Sequence, residues 1–141
     1  LPIKSNTWSK IKTKAEKYSI SNNIINLEPI SLKQCLEWYN KIDFVFQPTL
    51  LEVFSANYLE AMMMKKLIIT SNLPFAKEVC GEGAIYFKAN NAEAAARAII
   101  NAVNDPNRCN SIIKIASKQL SCFPSFSKKH KIVTDWISSI V

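Results

Sequence analysis

Apolar and polar positions follow two different periods along this chain, and the change between them marks its elements. From Asn6 to Ser19 the residues Trp8, Ile11, Ala15 and Tyr18 recur at three and four with lysines opposite, which predicts an amphipathic helix ending near Ser21, Asn22 and Asn23. Ile24 to Leu27 reads as a short strand, and Pro29 with Ser31 turns the chain into a second helix with Leu32, Leu36 and Trp38 or Tyr39 inward. Ile42 to Gln47 is an apolar strand stopped by Pro48. Ser55 then serves as N-cap of a helix from about Ala56 to Met64, with Tyr58, Leu59, Met62 and Met63 on its apolar face. Leu67 to Thr70 is the next strand. Asn72 and Pro74 open a short helix carrying Glu78, and Ala84 to Phe87 is the last strand. Asn90 or Asn91 caps a helix with Ala92, Ala95, Ala96, Ile99, Ile100 and Val103 on its apolar side, broken at Asp105 and Pro106. Another helix runs to about Cys122. Pro124, Ser125 and Ser127 restart the chain as a final amphipathic helix with Ile132, Val133, Trp136, Ile137 and Ile140.

Strand, helix, strand around residues 42 to 70 is the crossover of a parallel sheet, so the fold class is α/β. Ligands of such sheets bind at the carboxyl ends of the strands, where Glu52 falls. Glu60 lies inside the helix, about 7 to 8 Å along its axis from the cap. Its i+3 and i+4 positions are Met63 and Met64 rather than the basic residues that a surface glutamate usually meets. One reading leaves Glu60 in solvent or paired with a distant lysine. The other aims it at a polar ligand whose anionic part occupies the helix N-terminus, with Glu52 on the other side of the anion. Glu78 has two readings as well, a cap on local backbone being the favoured one.

The stretch from Gln47 to Asn72, QPTLLEVFSANYLEAMMMKKLIITSN, resembles the E-x7-E region of GT-B glycosyltransferases of the family 4, or group 1, type. Their pattern runs P-S, then E-G-F-G, E-A-M-A, a strand, S-D-L-P and R-E-V or K-E-V. Pro48, Glu52, Phe54, Glu60, Ala61, Met62, Ser71, Leu73, Pro74, Glu78 and Val79 stand in register with it, and Gly81, Ala84 and Phe87 continue the match. Three glycines of the pattern are replaced: by Val53, by Ser55, and by Lys65 or Lys66 after the helix. Glycine reaches φ > 0 freely, so the altered loop either uses ordinary dihedrals or bears strain.

The resemblance implies a Rossmann-like parallel sheet flanked by helices, the C-terminal domain of a GT-B enzyme without its first two strands, with residues 1–141 as one partial nucleotide-sugar-binding domain. It implies transfer of a sugar, with retention, from a UDP-, GDP- or ADP-sugar, in bacterial surface polysaccharide assembly such as capsule or lipopolysaccharide. Glu52 is then the catalytic-site residue that orients donor-sugar hydroxyls, and Glu60 holds the ribose. Val53, Phe54, Ser55 and Ala56 line the donor, with the amides of Ser55 and Ala56 facing phosphate, and Ile30 is a candidate for contact with the base. No metal or cofactor enters. The cationic pair that grips the diphosphate precedes Leu1, as does the acceptor domain that binds a sugar or lipid-linked acceptor, so this piece is inactive alone. The final helix returns to that domain. With two strands absent, a sheet edge is left unpaired and favours self-association.

Composition narrows the alternatives. With 141 residues and 48% hydrophobic content the chain can build one real core, and it has no run of apolar residues long enough to span a membrane. No signal peptide is visible, and Leu1 in place of methionine implies a fragment or a processed chain. Cys35, Cys80, Cys109 and Cys122 are scattered, and His130 is the single histidine, which argues against zinc and for reduced thiols in the cytoplasm. The net charge of +7 comes from lysine, Arg97 and Arg108 being the only arginines, so nucleic-acid readout is disfavoured. Lysines cluster near both ends as solvated faces, with peripheral contact to an anionic membrane as the minority reading. The alternative function is a non-catalytic, degenerate Rossmann-like interaction module, for which the lost glycines argue best.

Overall fold

A computed structural model describes residues 3–140, without the side chain of Phe126. Leu1 lies outside the described residues. The chain divides into two compact units, residues 1–40 and 41–141.

In the first unit α1 spans Asn6–Lys17. The Ser5 hydroxyl caps it by accepting from the Trp8 N–H at 3.1 Å, and Lys14 and Lys17 sit in the last turn, where the helix dipole favours cations. One 3-10 turn follows at Ser21–Asn23. Ile24 to Leu27, expected as a strand, pairs with no other strand among the described residues. Ile25 is exposed and Glu28 takes a left-handed φ of 54°, so neither a ladder nor a buried face holds this segment as sheet. Helix α2 covers Leu32–Lys41. Its start is a reciprocal capping box, in which Gln34 Oε1 accepts from the Ser31 N–H at 2.9 Å and Ser31 Oγ accepts from the Gln34 N–H at 3.4 Å. Tyr39 is its buried residue; Leu32 and Leu36, expected inward, are exposed.

The second unit holds a three-stranded parallel sheet of β1 (Phe44–Gln47), β2 (Leu67–Ser71) and β3 (Ile85–Phe87), in that spatial order. Three strands stand where the sequence pattern predicts four. The register pairs Phe44 with Leu67 through to Gln47 with Thr70, and Ile69 with Ile85 through to Ser71 with Phe87. Every residue of β2 is buried, as a central parallel strand covered on both faces requires. Helices α3 (Ala56–Met63) and α4 (Pro74–Cys80) make the crossovers, and α5 (Ala92–Asn104), α6 (Pro106–Leu120) and α7 (Phe126–Ile140) follow.

Alternation along β2 divides the core. Leu67 and Ile69 pack with Phe87, Ala95 and Ala102, joined by Phe44, Ile85, Ile99 and Ile112. Ile68 and Thr70 point the opposite way, and Thr70 meets the buried Tyr58 of α3. On α3, Tyr58, Ala61 and Met62 are buried while Met63, expected inward, is 66% exposed. Helix α5 is turned in the same way: Ala95 and Ala102 are its buried residues, and Ile100 and Val103 are exposed. Small side chains allow that rotation, because an alanine-rich face lets a helix come close to the sheet. Gly83 shows the same closeness, since a Cβ there would stand 2.6 Å from the Ala116 Cα of α6. Along α7, Ile132, Val133, Trp136, Ile137 and Ile140 are all exposed. Among the described residues no helix is long and apolar enough to cross a membrane.

Candidate donor site

The loop from Pro48 to Ser55 leaves the carboxyl end of β1 and enters α3. Three side chains hold its two ends together. Thr70 Oγ1 donates to the Gln47 carbonyl at 2.9 Å and stands 2.8 Å from the Tyr58 hydroxyl. Because the threonine proton is committed to that carbonyl, the Tyr58 hydroxyl is the donor to Thr70. Burial pushes the Tyr58 phenol up; its bond to Thr70 opposes this, and the nearby Cys80 and Glu52 add to it. The third side chain is Gln47, whose Nε2 donates to Ser55 Oγ at 2.9 Å.

Glu52 lies in this loop, half-buried and close enough for its charge to act on Tyr58. Glu60 is half-buried on α3, five residues past Ser55. The two acids therefore belong to the two sides of one short loop-to-helix junction, as the sequence spacing anticipates. Val53 is 97% exposed and Ala56 is exposed, so both border the junction without packing into it. Phe54 sets its ring edge-on to Phe123, with centroids 6.3 Å apart, which ties the loop to the segment after α6. Ile30 belongs to the first unit, half-buried between the left-handed Glu28 and the start of α2. Glu78 is exposed on α4 and, among the described residues, accepts no backbone hydrogen bond, against the reading that makes it a local cap.

Ser55 stands at the N-cap with φ −98° and ψ 116°, yet its side chain makes no capping hydrogen bond. The first amides of α3 are thus left without a side-chain acceptor, the condition under which a helix N-terminus receives an anion. Among the described residues the non-glycine positions with positive φ are Ser19, Glu28, Lys65 and Asn90. Val53 and Ser55 are absent from that set, so the loop uses ordinary dihedrals. The glycine lost after the helix is a different case: Lys65 has φ 52°. It sits at C′ of a complete Schellman closure, with the Lys65 N–H on the Met62 carbonyl at 3.1 Å and the Lys66 N–H on the Ala61 carbonyl at 2.8 Å.

On the opposite face of the sheet, also at its carboxyl end, an open pocket of about 480 Å³ is lined by Phe46, Leu50, Ser71, Phe87, Asn91 and Ile99. The rings of Phe46 and Phe87 stack there at 5.4 Å. Ser71 Oγ is buried without a hydrogen-bond partner. Among the described residues no group of three or more His, Cys, Asp or Glu side chains could hold a metal ion.

A three-stranded parallel sheet flanked by helices is the arrangement of a GT-B glycosyltransferase C-terminal domain. Residues 5–119 match the family model "Glycosyl transferases group 1", and the chain belongs to that family. Its fold is similar to that of sucrose-phosphate synthase from Thermosynechococcus elongatus, at 16% identity and a TM-score of 0.83 over 99% of this chain and 37% of that one. It is similar to Alr3699/HepE from Anabaena, solved in complex with UDP, at 16% identity and a TM-score of 0.82 over 93% and 36% of the two chains. The C-terminal domain of the group 1 protein LpcC from Francisella tularensis gives 18% identity and a TM-score of 0.74 over 86% and 64%. The chain thus spans about a third of the first two proteins. No curated protein matches it.

Proposed function

We propose that this chain is the donor-binding part of a retaining glycosyltransferase that uses a nucleotide-sugar, with residues 1–141 forming part of its C-terminal domain. The observation that carries the reading is the junction itself: Glu52 and Glu60 flank the start of a helix whose N-cap hydroxyl is turned away from its amides. A diphosphate placed there meets free N–H groups and the positive end of the helix dipole. Glu60 then accepts from ribose hydroxyls and Glu52 from donor-sugar hydroxyls. Val53, Phe54, Ser55 and Ala56 form the wall between them. A structure with bound UDP among the similar folds supports a nucleotide as the ligand class.

Neither acid is assigned proton transfer. Departure of the diphosphate is helped by the α3 amides and by cationic groups, while the acceptor hydroxyl attacks from the face the diphosphate leaves, so the work is positioning and electrostatic stabilisation. No cofactor or metal is assigned. The acceptor, a sugar or lipid-linked sugar of bacterial surface polysaccharide, is held outside this chain, in the cytoplasm or at the inner face of the membrane. The module reading rests on the lost glycines, and the ordinary dihedrals at Val53 and Ser55 take much of its force away.

The test is a calorimetric titration of UDP, GDP and ADP and their sugar conjugates into this chain and into Glu60→Ala. Selective binding of one nucleotide, weakened at least tenfold in the variant, is the expected result. Equal binding by both proteins would return Glu60 to a structural role.

A further inference from the structure

We propose that Gln47 is a positioning residue of the donor site: it holds the Ser55 hydroxyl against the end of β1 and so keeps it off the first turn of α3, leaving those amides for a nucleoside diphosphate. The inference rests on the donor-site reading above and adds a residue to it.

Serine, asparagine and aspartate at an N-cap ordinarily turn their side-chain oxygen onto the N–H of the third residue beyond. Among the described residues five helices do so: Ser5 accepts from Trp8, Ser31 from Gln34, Asn91 from Ala94, Asp105 from Arg108 and Ser125 from Lys128, at 3.1, 3.4, 2.8, 2.9 and 3.3 Å. Ser55 holds the same place before α3 and does not. Its oxygen accepts from Gln47 Nε2 at 2.9 Å instead. The amide it would otherwise cap, that of Tyr58, makes only a long 3.3 Å bond to the Ser55 carbonyl.

A second, independent observation lies at the same place. Gln47 is 7% exposed, and its Oε1 is buried with no hydrogen-bond partner. Buried amides normally satisfy both ends, so an orphaned carbonyl marks a side chain held for something other than its own hydrogen bonding. Gln47 is also fixed from behind, because its backbone carbonyl accepts from Thr70 Oγ1. The amide thus reaches Ser55 from an anchored strand end. A capping hydroxyl and a phosphate oxygen compete for the same first-turn N–H groups, and Gln47 removes the first competitor.

Gln47→Leu keeps the apolar volume of the side chain and removes its amide. Expected for this variant is about a tenfold loss of affinity for the nucleoside diphosphate that the intact chain binds, and unchanged affinity for the matching nucleoside. The freed Ser55 hydroxyl then caps α3, so hydrogen exchange of the Tyr58 amide slows, which is readable by NMR without ligand. Ser55→Gly in the Gln47→Leu background restores diphosphate affinity, since no hydroxyl remains to compete. A purely structural Gln47 would not be rescued by a second change. Equal losses for nucleoside and diphosphate, no loss at all, or no recovery in the double variant each overturn the inference. An intact chain that binds no nucleoside diphosphate overturns the donor-site reading instead, and the Tyr58 exchange rate then decides the role of Gln47 alone.

Discussion

The Tyr58 hydroxyl donates to Thr70 Oγ1 at 2.8 Å across twelve residues of sequence, and Thr70 Oγ1 in turn donates to the Gln47 carbonyl at 2.9 Å. This relay joins α3, β2 and β1, and Tyr58 and Thr70 at its centre are each 0% exposed. Thr70→Val keeps the shape of the side chain and orphans both partners, so it is expected to cost about 2 to 3 kcal/mol. Tyr58→Phe removes only a donor whose acceptor is otherwise engaged, and its expected cost is about 1 kcal/mol. Urea unfolding of the two variants checks the order; a Tyr58→Phe loss equal to that of Thr70→Val would mean that the relay is not continuous.

Lys65 carries the strain that the donor loop escapes. Its φ of 52° at C′ of α3 is a glycine conformation occupied by a residue with a Cβ. Lys65→Gly relieves that conformation at the expense of a more flexible unfolded chain, for an expected net gain of about 0.5 to 1 kcal/mol. Lys66→Gly, one residue on and without a positive φ, is expected to lose stability. Thermal melts of both variants read the contrast, and a gain at position 66 instead of 65 would place the strain wrongly.

How much of this was legible in the sequence depends on what each residue answers to. Pro48, the Ser55 cap position and the apolar run of β2 are local signals, and the strand-helix-strand unit they predict stands within a residue or two. Ile24 to Leu27 has the composition of a strand, but strand formation needs a neighbour that sequence alone does not supply. Met63 on α3 and Ile100 and Val103 on α5, expected inward, are exposed because small alanines share the buried side with larger residues and hydrophobicity alone marks that side poorly. The Ser31 and Gln34 capping box was readable from its spacing. The spacing of Glu52 and Glu60 makes them candidates in the sequence, whereas Gln47 gives no signal there: its hydrogen-bond partner Ser55 lies eight residues away and only the sheet and helix bring them together.

Cys80 gives the second unit an alkaline limit. It is fully buried, and burial pushes its thiol up to about 12 from an ordinary 9.0. A raised folded value means that the native chain keeps a proton that the unfolded chain has released. Stability is therefore complete below pH 9.0 and falls as pH rises towards 12, by on the order of 1 kcal/mol per pH unit. Burial raises the phenols of Tyr58 and Tyr86 as well, and they add to the loss above pH 10.0. Cys80→Ala is expected to flatten the profile between pH 9 and 10 while leaving the later fall. Denaturant midpoints at pH 7.5, 9 and 10 for both proteins test this, and identical slopes would remove Cys80 from the account.

The outer edge of β1 is the remaining source of a prediction. Among the described residues β1 pairs with β2 alone, so the N–H and C=O groups on its other side have no ladder partner. Phe46, on β1 itself, is exposed as well. Unpaired edges of this kind recruit further strands, and nothing in β1 blunts the edge: its sequence is FVFQ, without lysine or proline. The chain is therefore expected to self-associate with rising concentration, and Phe46→Lys, which places a charge beside the edge, is expected to weaken that association at least tenfold. Sedimentation velocity across a concentration series reads both. A chain that stays monomeric at high micromolar concentration would mean that the edge is covered, and an association unaffected by Phe46→Lys would move the contact elsewhere, the exposed apolar stripe of α7 being the next surface to alter.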